Sequence, residues 1–134
     1  MIKLSKKGDY AIKTIIYLAM GDNNSFLKIA QISKDLKISE SLLRRIISEL
    51  EKKGIVKTIK GRYGGISIGK KLSEISIFDI LEATGEELGI TNCTKGVYCE
   101  NKDCCDVTNI YNTLQKGFNG VLKIYTIDKI IKIV

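Results

Sequence analysis

A chain of 134 residues that is 44% hydrophobic and 28% charged carries enough apolar material for one domain with a sizeable core, which excludes a disordered chain. No apolar run approaches the roughly 18 residues of a membrane span, and the basic N-terminus lacks a signal-peptide cleavage pattern, so a cytoplasmic protein with no membrane partner is expected. The net charge of +7 is uneven: residues 1–71 hold 16 Lys and Arg against 6 Asp and Glu, and residues 72–134 hold 6 against 9, so the first half is suited to a polyanion.

Ala11, Ile15, Leu18 and Ala19, widened by Ile12 and Ile16, recur at helical spacing and predict a first helix over residues 7–20. The turn cluster from Gly21 to Ser25 ends it. A short helix over residues 28–36 is expected to bury Ile29, Ile32 and Leu36. Ser39 is a good N-cap for a third helix over residues 40–53, with Leu43, Ile46, Ile47 and Leu50 facing the core. Lys52 and Lys53 suit its C-terminal dipole, and Gly54 stops it. Two helices joined by so short a turn make a helix-turn-helix.

Beyond Gly54 the period changes. Residues 55–59 and 66–68 are short β-prone runs around Lys60-Gly61-Arg62-Tyr63-Gly64-Gly65, a basic, glycine-rich tip. The fold class expected is therefore mainly α with a small β-hairpin: a winged helix-turn-helix over residues 1–85. Ser76 caps a short helix over residues 77–84 that stops at Gly85. Residues 86–106 have little periodicity and form a cysteine-rich loop. A long helix begins near Asp106, with Ile110, Leu114, Phe118, Val121, Leu122 and Tyr125 as its apolar stripe and Gly117 and Gly120 permitting close backbone contact. Too little chain follows to cover that stripe within one subunit, so residues 107–134 read as a dimerisation helix and tail, with Thr126 capping a last short helix over residues 127–132.

Two constellations carry chemistry. On the third helix Ser41, Arg44, Arg45 and Ser48 share the face opposite the core, a face that fits the major groove of DNA. Ser39 at its start belongs to the same surface, and Lys60, Arg62 and Tyr63 on the wing extend it toward the minor groove or backbone. The plain structural alternative is a protein-binding winged helix with a solvated basic face. The second constellation is Cys93-x5-Cys99-x5-Cys105 with Cys104 adjacent, in a chain without histidine. Thiolates this close suit an iron–sulfur cluster or zinc, although zinc usually takes two tighter Cys pairs. Reduced thiols without metal are the bland reading.

Leu4-Ser5-Lys6-Lys7-Gly8-Asp9-Tyr10-Ala11, Ile38-Ser39-Glu40-Ser41-Leu42-Leu43, Gly54-Ile55-Val56, the wing Lys60 to Gly65 and the three-cysteine spacing together resemble the IscR/NsrR-type family of winged-helix transcription regulators. The resemblance implies a homodimer on palindromic or related double-stranded DNA operators, with a 4Fe–4S or 2Fe–2S cluster held by Cys93, Cys99 and Cys105. It implies a fourth ligand as well. IscR-like members place a histidine where this chain has Thr108, and NsrR-like members use an N-terminal aspartate from the partner subunit, which Asp9 matches. Asp9 serves equally well as a helix-capping charge. Arg44 stands where IscR-like members carry an acid, so their operator preference does not carry over.

The function expected is a dimeric regulator whose operator binding follows cluster supply, nitric oxide or redox state. A cluster-free regulator switched by cysteine thiols explains the fold, and an iron–sulfur carrier explains only the cysteines. An enzyme is the weakest reading, because no convergent acid–base set or phosphate-binding glycine loop is present.

Overall fold

The computed structural model describes residues 3–21, 25–89 and 107–134. Six helices and one hairpin follow in the order α1 (Lys6–Met20), α2 (Ile29–Leu36), α3 (Glu40–Lys52), β1 (Val56–Ile59), β2 (Gly65–Ile68), α4 (Ile77–Ala83), α5 (Thr108–Ile124) and α6 (Ile127–Ile130). A 3-10 turn at Leu72–Glu74 joins the hairpin to α4. The elements are those the periodicities predict, with small shifts at their ends. Lys28 caps α2 and does not lie inside it, and α6 stops two residues short of the expected Lys132.

Each helix start has a local cause. Ser5 accepts from the Gly8 amide at 3.1 Å, which satisfies one of the four free donors of the first turn of α1. Ser39 accepts from the Leu42 amide at the head of α3. Ser76 and Asp79 form a reciprocal capping box on α4. Between α2 and α3 the chain reverses through Lys37, a non-glycine residue in the left-handed region, and the Ile38 amide returns to Ser33 O at 3.1 Å.

The core sits where α1, α3 and the hairpin meet. Ala11 and Ile15 of α1, Ile32 of α2, and Leu43, Ile46 and Leu50 of α3 are fully buried, together with Ile55, Val56 and Ile66 of the hairpin region. Burying a Leu or Ile of this kind contributes on the order of 1.5–3 kcal/mol, so the four apolar positions on α3 fix which face it turns inward. Ile29 and Leu36 of α2 are half-buried where full burial was expected. An eight-residue helix with one buried side chain serves as a cover on α3.

The hairpin is antiparallel, with Val56 opposite Ile68 and Ile59 opposite Gly65. Leu27 adds a one-residue bridge to Ile66, with N···O distances of 3.0 and 2.8 Å. That bridge ties the segment before α2 to the wing.

The C-terminal segment returns to the same core. Ile127 is fully buried within it, and its amide donates to Ile75 O at 2.8 Å across a bridge between Ser76 and Thr126. Helix α5, which leads into that segment, packs on α4, with Lys123 Nζ 4.6 Å from the Phe78 ring. Its stripe divides in two: Phe118 and Leu122 are half-buried, whereas Ile110, Leu114, Val121 and Tyr125 are 45–56% exposed. A Cβ added at Gly117 or Gly120 would meet nothing within 4 Å. Among the described residues, no helix is long and apolar enough to cross a membrane.

Candidate nucleic-acid interface

Burial of Leu43, Ile46, Ile47 and Leu50 forces the opposite side of α3 into solvent. Ser41, Arg44, Arg45 and Ser48 are all exposed there, and Ser39 is exposed at the N-cap. Arg44 Nη2 lies 3.6 Å from Glu40 Oε2 one turn earlier. An exposed pair of this spacing contributes only about 0.3–0.5 kcal/mol, so the guanidinium can leave it for another anionic partner at little cost.

The wing stands beside this face. Thr58 of β1 donates to Glu51 of α3 at 2.7 Å, which sets the hairpin against the helix. Between them lies an open groove of about 570 Å³ whose walls include Lys28, Arg44, Ser48, Lys60 and Gly61. Lys60, Arg62 and Tyr63 are exposed at and beside the tip, and of the residues expected to face DNA, Arg44, Ser48 and Lys60 line this groove together.

The backbone at the wing tip approaches its neighbours closely. The Gly64 amide donates to Gly61 O at 3.2 Å, and a Cβ at Gly64 would fall 1.9 Å from Ile59 O. Gly65 has φ +155°, and a Cβ there would fall 2.6 Å from Leu27 O. Both positions therefore demand glycine.

Three contributors escaped the sequence reading. Lys28 Nζ donates to Gly61 O at 2.8 Å and pins the tip to the head of α2. Lys57 Nζ lies 5.8 Å from the Phe26 ring, and Glu51 anchors the wing as described. The apolar dipeptide Phe26-Leu27 between a turn cluster and a helix is the one local signal that could have pointed to the bridge.

Cys93, Cys99, Cys104 and Cys105 lie outside the described residues, as does Asp106. The described residues that lead into their segment, Glu86 and Leu88, are held by the N-cap of α1 and by α5 respectively. Glu86 accepts from the Ser5 amide at 2.7 Å and from Ser5 Oγ at 2.6 Å, and Gln115 Nε2 donates to Leu88 O at 2.7 Å. Asp9, in the first turns of α1, pairs through Oδ2 with Lys13 Nζ at 2.7 Å, and its side chain is 45% exposed. That ion pair holds the Lys13 ammonium above its ordinary pKa, first through the hydrogen bond and then through the charge of Asp9. Among the described residues no group of three or more His, Cys, Asp or Glu is placed to hold a metal. An accessible carboxylate on α1 is compatible with one oxygen ligand completing three thiolates, on condition that Lys13 releases it or its other oxygen is used.

Comparison with known proteins agrees with this geometry. The Rrf2 family profile, described as an iron-dependent transcriptional regulator, matches residues 4–133. The HTH-type transcriptional regulator NsrR of Bacillus licheniformis is 32% identical over 132 residues, covering 97% of this chain and 92% of the relative. The HTH-type transcriptional regulator IscR of Klebsiella pneumoniae is 28% identical over 130 residues, covering 97% and 80%. The fold is that of CymR, the global cysteine regulator of B. subtilis, with a TM-score of 0.82 at 23% identity over 100% of this chain and 99% of that one. The chain belongs to the Rrf2 family of transcriptional regulators.

Proposed function

We propose that the chain works as a homodimer that binds double-stranded operator DNA in the cytoplasm and that an iron–sulfur cluster sets its affinity for that DNA. The observation that carries the DNA-binding part is the exposed face of Ser41, Arg44, Arg45 and Ser48 beside a wing bearing Lys60, Arg62 and Tyr63. In this reading α3 enters the major groove and the wing lies on the neighbouring minor groove or backbone. Cys93, Cys99 and Cys105 hold the cluster, with Asp9 of the partner subunit as fourth ligand, and the group supplies a reactive iron centre whose integrity reports the cell's state. The exposed half of the α5 stripe is the dimer contact. The cysteine segment acts on DNA binding through α1, whose first turn Glu86 holds at Ser5.

The test is selection from random duplexes at low salt, with anaerobically loaded and with metal-free protein. One enriched sequence is expected, with an affinity that falls steeply with salt as phosphate counterions are released and that differs between the two preparations. Failure of both preparations to enrich any sequence rejects the reading. A metal-free thiol switch on the same cysteines is separated by iron and sulfide analysis of protein purified without oxygen. Absence of both elements, with DNA binding that responds to a thiol oxidant, selects that switch.

A further inference from the structure

Tyr63 is 89% exposed, more than any other large apolar or aromatic side chain among the described residues. It precedes two positions, Gly64 and Gly65, where close backbone approach leaves no room for a Cβ, and Lys28 Nζ donates to Gly61 O two residues before it. Its neighbour Arg62 places the guanidinium carbon 5.8 Å from the ring centroid. The ring contributes nothing to the core; it follows Arg62 at the tip, and Lys60 on the same tip lines the groove together with Arg44 and Ser48. A side chain with only two rotatable bonds loses little entropy when it meets a surface.

Building on the DNA-binding reading above, we propose that Tyr63, positioned by Arg62, reads A·T base pairs in the minor groove that flanks the site read by α3. The chemistry follows from what that groove displays. At A·T and T·A pairs the floor carries only the acceptors adenine N3 and thymine O2, to which a phenol hydroxyl donates. At G·C pairs the guanine amino group projects from the floor, blocks the ring and offers a donor in place of an acceptor. A·T tracts also narrow the groove and deepen its negative potential, which favours the adjacent Arg62. The ring fills the narrow groove edge-on while the guanidinium faces the phosphates on its rim.

The test starts from the duplex enriched by selection, with the flanking pairs replaced by A·T, G·C or inosine·cytosine. An inosine·cytosine pair keeps the major-groove face of G·C but lacks the minor-groove amino group. Wild-type protein is expected to bind A·T and inosine·cytosine flanks about fivefold or more tighter than G·C flanks. Tyr63→Ala is expected to abolish that preference, and Tyr63→Phe to reduce it by removing the donor, both with unchanged thermal unfolding. The proposal is overturned if Tyr63→Ala keeps the preference, or if inosine·cytosine behaves like G·C. Loss of the preference in Arg62→Ala but not in Tyr63→Ala assigns the readout to the arginine and also overturns it. If no duplex is enriched at all, the DNA-binding reading fails and takes this proposal with it; an enriched duplex with indifferent flanks removes only the proposal.

Discussion

Lys7 Nζ, in the first turn of α1, donates to Glu49 Oε1 on α3 at 2.6 Å, and the other carboxylate oxygen of Glu49 is buried without a hydrogen-bond partner. Both side chains keep about a quarter of their surface exposed, so the pair is only partly screened by water. Lys7→Ala leaves a half-desolvated carboxylate behind and is expected to destabilise the fold by about 1–2 kcal/mol. Lys7→Met combined with Glu49→Met is expected to recover most of that loss, because it removes both charges and keeps the packing. Urea unfolding of the single and double variants measures the difference, and a double variant no more stable than Lys7→Ala contradicts the account.

Gly64→Ala places a methyl group where Ile59 O already sits. The wing must open to admit it, whereas the core beneath α3 is untouched. DNA affinity is expected to fall on the order of tenfold or more, with a melting temperature shifted by only a few degrees. A gel-shift titration paired with a thermal melt checks both halves, and unchanged affinity would show that the tip conformation does not matter for binding.

Leu114 is 55% exposed on α5. As a surface residue of the single chain it tolerates a charge, but in a helix-to-helix dimer contact an aspartate would be buried unpaired. Leu114→Asp is therefore expected to sediment as a monomer at micromolar concentration with its helical content intact. Wild-type protein that is itself monomeric under those conditions removes the dimer from the proposed function.

Tyr17 Oη donates to Asp35 Oδ2 at 2.5 Å and joins α1 to α2. The hydrogen bond to Asp35, more than burial or the carboxylate's charge, raises the Tyr17 pKa above its usual 10.0. A raised pKa in the folded state means that the folded protein holds this proton more tightly than the unfolded chain. The stabilisation is complete below the unfolded value and is lost as the pH rises through the folded one. Wild type is expected to lose more stability than Tyr17→Phe between pH 9 and pH 11, as read from urea midpoints. Parallel midpoints for the two proteins would remove this contact as the cause.

The exposed face of α3 was legible because one local pattern determines it. Once Leu43, Ile46, Ile47 and Leu50 face inward, the 3.6-residue period alone puts Ser41, Arg44, Arg45 and Ser48 outside. The wing was legible because Gly61, Gly64 and Gly65 break two β-prone runs. What escaped was non-local. The Leu27–Ile66 bridge involves single residues and leaves no periodicity. Glu86 reaches Ser5 across 81 positions of sequence, and nothing near either residue announces the other. Lys28 could be read as the start of a helix, but its hold on the wing tip depends on a fold that brings residues 28 and 61 together.

The burial of Ile127 has a consequence for how the protein is made. Its side chain closes the same core as Ala11 and Ile15, although it is synthesised more than a hundred residues after them. The helix-turn-helix and hairpin emerge from the ribosome early, and domains usually fold as units in the order of synthesis. In this chain the early part leaves the ribosome without Ile127, and without Ile130 and Ile131 that pack beside it on the same core. Folding is therefore completed after residue 127 has cleared the exit tunnel, and a chain arrested before that point presents a basic, half-finished DNA reader that is open to proteases and chaperones.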